Sequence, residues 1–343
     1  MTGSSYLNLR AACLAASAIL TATPLPASAL VFNTIWDASI TSRQDAAVIE
    51  QAVLTEEARY SSALASPVTV NIKVSWGRVA NSVLSSTALG ASVDQLVGYK
   101  TYAQVAALLN AAATTNSDLT AIAALPAVMP AAGNQYVIPR ALAKALGVIP
   151  ANSTTIDGYI GFGSGVAFTF NNSNGVTAGT YDFATIASHE LSEVLGRITG
   201  LFTSAPTFAT PLDVFRYSAP GVTSFSYTAA AYASIDGGVT SLGWFNNSPY
   251  GGDRGDWLTI PGISDTQAAF LPMATQYQLS PADLRLLDAM GWNGMPTLDA
   301  ITQGIVGSNV TSVAPLSEPA SLTFVAASIL GFIALRRRLG RRA

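Results

Sequence analysis

Apolar and polar positions follow two distinct periodicities along this chain, one helical and one of strands, and together they predict an α+β fold. Residues 41–64 repeat apolar side chains at the three- and four-residue spacing of an amphipathic helix, with Glu56 and Glu57 among its polar positions. Residues 68–76, VTVNIKVSW, alternate and are β-branched, as in a strand. Further helices are predicted over 101–113, 139–146, 182–198 and 281–290, and further strands over 156–170 and within 213–260, including a hairpin over 231–245.

The first 29 residues have the parts of a secretory signal peptide. Arg10 precedes the apolar run 11–20, and Ala27-Ser28-Ala29 is a small-x-small cleavage site. Pro24 and Pro26 argue against the alternative of a core helix. We therefore expect the protein to be exported, with a mature chain that begins at Leu30.

The last residues, 318–343, form a second signal. Glu318-Pro319 is followed by the uncharged stretch 320–335 and then by an arginine cluster at 336–342. Sixteen helical residues span about 24 Å, less than the ~30 Å hydrocarbon core, which suits a transient anchor with its arginines in the cytoplasm. This order resembles the PEP-CTERM sorting signal of Gram-negative bacteria, although Ser317 stands where the first proline is usual.

The resemblance implies that a sorting protease of the inner membrane removes the tail. The body would then reach the cell envelope or the extracellular space; a plain C-terminal membrane anchor is the alternative. Between the signals we predict one functional domain, residues 30–294, and a linker, 295–317.

Composition narrows the chemistry of this body. The chain contains one His and one Cys, which excludes zinc sites with two histidines, disulfide scaffolds and iron–sulfur clusters. Residues 30–317 carry eleven basic and nineteen acidic side chains, a net charge of −8, so we expect no nucleic-acid partner. The excess of acidic over basic side chains leaves carboxylates available to bind cations.

The helix predicted from about Asp182 to Ile198 carries the candidate chemistry. Asp182 is a good N-cap, and one broad face of the helix is apolar. His189 and Glu193 are one turn apart on the opposite side, which would ordinarily face solvent. Two ligands at this spacing can bind one metal ion, and Glu190, directly after the first, is placed to act as a general base on a metal-bound water.

Residues 188–197, SHELSEVLGR, therefore resemble the active-site helix of zincin metalloproteases. They resemble more closely a group of secreted bacterial metalloproteases that carry PEP-CTERM tails. Further stretches share the likeness: LDVFRYSAPG at 212–221, YASIDGG at 232–238, GGDRGDW at 251–257 and LSPADLRLLDAMGW at 279–292. The resemblance implies a zincin-like (metzincin-like) domain with a β-rich C-terminal part, a peptide or protein substrate, and Met273 in a turn beneath the metal.

The chain departs from the metzincin pattern HExxHxxGxxH at two ligands. Glu193 replaces the second histidine and Thr199 the third, so a further ligand must come from outside the helix. Asp213 is the first candidate. One imidazole with carboxylates can hold Zn²⁺, and oxygen-rich ligation also favours Mn²⁺ or Ca²⁺. Other candidates for the third ligand are Asp182, Asp236, Asp253 and Asp256.

Two alternatives remain open at this point. His189 can be a structural histidine, and Glu193 with Arg197 can be a surface ion pair. A non-catalytic envelope or matrix protein on a degenerate zincin fold is the second function, and the oligomeric state is not determined by the sequence.

Overall fold

The computed structural model describes residues 30–129, 135–202, 206–248, 251–259 and 264–294. The predicted signal peptide, the linker 295–317 and the tail 318–343 lie outside these residues. The described part is a mixed α+β structure, as the sequence predicts. None of its helices is long and apolar enough to cross a bilayer.

Seven α-helices are present in the described residues. They are α1 (Ala38–Thr41), α2 (Ala46–Ala63), α3 (Tyr102–Ala112), α4 (Asn116–Ala124), α5 (Arg140–Ala145), α6 (Phe183–Val194) and α7 (Pro281–Ala289), and a 3-10 helix spans Pro211–Phe215.

The strands are short and fall into several small sheets. They are β1 (Val31–Trp36), β2 (Thr69–Trp76), β3 (Arg78–Val79), β4 (Ser82–Val83), β5 (Gly90–Asp94), β6 (Leu96–Lys100), β7 (Tyr136–Pro139), β8 (Gly158–Phe162), β9 (Phe168–Thr169), β10 (Tyr181–Asp182), β11 (Arg216–Ala219), β12 (Val222–Thr223), β13 (Tyr232–Ala233) and β14 (Gly243–Trp244).

A four-stranded sheet in the order β1-β2-β8-β5 covers α6. The first three strands are parallel, and β5 is an antiparallel edge strand paired with β8, Ser92 opposite Ile160. Alternate residues of β5 lie on opposite faces of the sheet: Ala91 and Val93 belong to a small core cluster, whereas Ser92 contacts α6. The β5 edge therefore lies directly over the helix that carries His189.

A second four-stranded sheet, β12-β11-β13-β14, is antiparallel and belongs to the β-rich C-terminal part. Tyr232 pairs with Trp244 and Ala233 with Gly243, so the hairpin predicted over 231–245 forms, with a longer connection than the DGG turn alone. Residues 254–257 and 265–267, further along the chain, return to α6.

The sequence fixes both ends of α6. Asp182 accepts a hydrogen bond from the Thr185 amide at 3.1 Å, which caps the first turn. At the other end Gly196 has a φ of +106°, which favours glycine. The amides of Gly196 and Arg197 donate to the carbonyls of Glu193 and Ser192, a Schellman ending that turns Arg197 back beneath the helix.

Two expectations about helix faces were wrong. Glu56 and Glu57 were placed among the polar positions of α2, yet both are buried. The side of α6 that carries His189 was expected to face solvent, yet α6 is buried on that side as well as on its apolar face. Neighbouring segments, and not water, therefore surround the candidate chemistry.

Candidate metal centre

The imidazole of His189 is fixed by the backbone of the segment that follows β14. Its Nδ1 lies 2.8 Å from the carbonyl oxygen of Thr266. Because a carbonyl can only accept, Nδ1 donates the proton of this hydrogen bond, and Nε2 is the ring nitrogen that can act as a ligand. Histidine ligands in metal sites are oriented in the same way: one ring nitrogen binds the metal, and the other donates to a backbone carbonyl.

Two carboxylates converge on the other ring nitrogen. Nε2 of His189 is 3.6 Å from Oε1 of Glu193 and 3.7 Å from Oδ1 of Asp256. Two ligand atoms each about 2.1 Å from one tetrahedral ion are themselves separated by about 3.4 Å. The separations therefore fit donors that share a cation.

Glu190 completes a buried group on α6. One ligand atom from each of His189, Glu190 and Glu193 lies within 4.8 Å of the others, so this group could hold a metal ion. Glu190 also lies directly under β5, where a side chain on Gly90 would collide with its Oε1. Glycine at position 90 thus leaves the space that the Glu190 carboxyl occupies.

Ser92 orients the second carboxylate from the same strand. Its hydroxyl donates to Oε2 of Glu193 at 2.7 Å, leaving Oε1 toward His189. Burial raises the pKa of Glu193, but His189 and Ser92 lower it more, and the net shift is downward. The carboxyl is therefore ionised, as a ligand must be.

Other acids near the group respond to its negative charge. Burial and the charge of Glu193 raise the pKa of Asp253 to about 6. Burial, Glu193 and Asp157 raise the pKa of Asp94 well above its ordinary value. The site is thus rich in carboxylates, a composition that attracts a cation.

Arg197 packs against the segment that carries Asp256. Its side chain is fully buried, donates to the Gly255 carbonyl at 3.0 Å and stacks over the Trp257 ring at 4.3 Å. Its ion pairs in the described structure are with Asp256 at 3.8 Å and Asp283 at 3.4 Å. In the described structure Glu193 and Arg197 therefore do not form the surface ion pair that the sequence left open.

The structure does not bring Asp213 to this group. Its carboxylate accepts hydrogen bonds from the Thr199 hydroxyl and from the amides of Gly200 and Thr210. It holds the start of the 3-10 helix to the segment after α6. Asp256 takes the position near His189 instead, because the GGDRGDW stretch folds back over α6.

The remaining acidic candidates have other partners. Asp182 caps α6, and Asp236 accepts from Ser234 and Thr240 in its own turn. Met273 is half-exposed, and the backbone that supports His189 comes from Thr266.

Sequence reasoning missed Ser92 and the carbonyl of Thr266. The β5 sequence GASVD shows no apolar alternation, and a backbone carbonyl leaves no trace in the residue types. The acidic pair in the glycine-rich GGDRGDW turn was the available signal for Asp256.

Comparison with known proteins assigns no family. No protein-family model matches the chain, no curated protein matches it, and no solved structure matches it.

Proposed function

We propose that this protein is an exported metal-dependent peptidase with a zincin-like fold, in which His189, Glu193 and Asp256 hold a divalent cation. The observation that carries the proposal is the orientation of His189: Thr266 holds its Nδ1, and its Nε2 lies 3.6 and 3.7 Å from oxygens of Glu193 and Asp256. One nitrogen and at least two oxygens suit Zn²⁺ or a harder ion such as Mn²⁺ or Ca²⁺.

Glu190 supplies the general base of this proposal. A bound cation would provide Lewis-acid polarisation of a peptide carbonyl and of an attacking water. Glu190 follows the first ligand directly and is only 2% exposed, so its carboxylate can take a proton within the site, away from bulk water. The same carboxyl can return that proton to the leaving amine.

The edge of β5 suggests how an extended substrate would lie. In the described sheet β5 pairs with β8 on one side, and its other edge has no partner strand. An extended peptide can add to such an edge through main-chain hydrogen bonds. A peptide there would pass over Glu190, because Gly90 at the start of β5 lies against that side chain.

Metal analysis of the purified protein tests the centre. We expect about one divalent ion per chain and its loss in His189→Ala, because the imidazole is the only nitrogen ligand. Metal content that is the same in His189→Ala as in the wild type would reject the site.

Glu190→Gln tests catalysis separately from binding. It keeps the size of the side chain but removes the base, so we expect retained metal and fold with peptidase activity lower by about 10²-fold or more. The control is His189→Ala, which should lose metal and activity together. A metal-loaded wild type that cleaves no member of a broad peptide library would instead support the non-catalytic envelope protein.

A further inference from the structure

A cavity lies on a different side of α6 from the candidate metal centre. It has a volume of about 530 Å³ and opens between α2 and the residues that follow β9. Its wall on α6 is Ala184, on the side where Ser188, one turn further, contacts Tyr60 of α2. None of the metal-centre residues lines it. The lining residues used below are Val48, Ala52, Glu56, Arg59 and Phe170.

Glu56 is the unusual member of this wall. Its side chain is 1% exposed, and within the described structure neither carboxylate oxygen accepts a hydrogen bond. Its nearest cation is Arg59, whose Nε is 3.5 Å from Oε1. A buried carboxyl without hydrogen-bond donors costs free energy, and a ligand that brings N–H donors would recover it.

Arg59 presents the opposite charge in the same cavity. Its side chain is 43% exposed, so the guanidinium remains accessible while Glu56 lies deeper. A deep carboxylate beside an accessible guanidinium complements a ligand that carries an ammonium and a carboxylate on the same carbon atom. Free α-amino acids have this pair of groups.

The rest of the wall defines the third feature of the ligand. Val48, Ala52 and the ring of Phe170 offer apolar surface beside the charged pair. Val48 is 49% exposed, and covering it would remove apolar surface from water. We propose that this cavity binds a free α-amino acid with an apolar side chain, its ammonium at Glu56 and its carboxylate at Arg59.

Calorimetric titration of the full-length protein with L-leucine tests the proposal, at pH 8, where Glu56 with its pKa of about 7 is largely ionised. Excess EDTA is present, so that the metal centre does not contribute. We expect saturable binding that Glu56→Gln weakens at least tenfold, because the amide loses the charge that holds the ammonium. Glu57→Gln is the matched control: Glu57 is the next residue of α2, is also buried, and accepts a hydrogen bond from Thr34 away from the cavity.

Two leucine analogues separate the charged contacts. 3-Methylbutylamine lacks the carboxylate and 4-methylpentanoate lacks the ammonium, so both should bind more weakly than leucine. Arg59→Gln should weaken leucine but not 3-methylbutylamine. Circular dichroism of each variant verifies folding.

Three results would overturn the assignment. Leucine that does not bind removes the site, and equal binding by wild type and Glu56→Gln removes the role of Glu56. Equal binding of leucine and 3-methylbutylamine would replace the amino-acid site with a simple amine site.

Discussion

At the scale of single residues, two aspartates that the sequence offers as a third ligand have different roles. Asp213 has its oxygens occupied by Thr199, Gly200 and Thr210, whereas Asp256 has an oxygen 3.7 Å from Nε2 of His189. A carboxylate that is engaged by hydrogen-bond donors within its own loop stabilises that loop. One that faces an imidazole nitrogen is placed to share a cation.

Replacing each aspartate by asparagine separates these roles. We expect Asp256→Asn to lose bound metal at least tenfold more readily than the wild type in a chelator titration, because a charged ligand becomes neutral. Asp213→Asn should keep the metal but lower the free energy of unfolding by about 1–3 kcal/mol, since one oxygen that accepts becomes a donor facing N–H groups. Loss of metal in Asp213→Asn with retention in Asp256→Asn would reverse the assignment.

At the scale of elements, the centre depends on how closely β5 approaches α6. A Cβ on Gly90 would collide with Glu190 and lie 2.8 Å from a methyl carbon of Ile186. Because both side chains are buried, neither can move into solvent. The absence of a side chain at position 90 is therefore what allows the strand to cover the helix.

Gly90→Ala tests this contact. We expect overpacking to lower the free energy of unfolding by about 1–3 kcal/mol and to displace Glu190, so that peptidase activity falls while metal remains bound. The measurements are denaturant unfolding, metal content and activity. Gly98→Ala on β6 is the matched control, since a Cβ there would have no neighbour within 4 Å. Equal behaviour of the two variants would contradict the argument.

The elements also show how far the sequence predicts the molecule. The start of α6 was predictable because Asp182 acts locally as its cap. Its end was predicted at Ile198, and this was wrong: the left-handed turn at Gly196 ends the helix at Val194. The pairing of His189 with Glu193 was predictable because helical spacing is local too. Both follow from residues within one segment.

Contacts between distant segments were not predictable in the same way. Position 92 lies 101 residues before position 193, and no periodicity links Ser92 to Glu193. Glu56 and Glu57 were misjudged because the charged residue type suggested a solvent-facing position, whereas packing of α2 buries both. Five aspartates lie before or after the candidate metal-binding pair in the sequence, and the sequence alone does not show which of them the fold brings to His189. The third ligand therefore had several candidates.

At the scale of the whole molecule, we propose that the two ends direct the body out of the cell. In this proposal the terminal segments 1–29 and 318–343 are the signals, and the candidate metal centre lies in the sequence between them. Mass spectrometry of envelope-associated protein should find a chain that begins at Leu30 and ends near Ser317. Mature protein that still ends in Arg341-Arg342-Ala343 would contradict tail removal.

Buried acids also make the stability of the whole molecule depend on pH. Burial raises the pKa of Glu57 from 4.5 to about 7, although the Thr34 hydroxyl partly opposes the shift. Between about pH 4.5 and pH 7 the Glu57 carboxyl is therefore protonated in the folded state and ionised in the unfolded state. The contribution of Glu57 to stability is fully present below about pH 4.5 and is lost as the pH rises through about 7.

Glu57→Gln removes this titration and isolates its contribution. Relative to the variant, the wild type should lose up to about 3 kcal/mol of unfolding free energy between pH 4.5 and pH 8, since each pKa unit corresponds to about 1.4 kcal/mol. Urea unfolding of both proteins across this range measures the difference, and subtracting one curve from the other cancels groups common to both. Glu56 has the same upward shift to about 7, so Glu56→Gln should show a slope of the same sign. A difference between wild type and Glu57→Gln that does not change with pH would mean that Glu57 is ionised in the folded protein throughout, and that its burial is compensated by a cation.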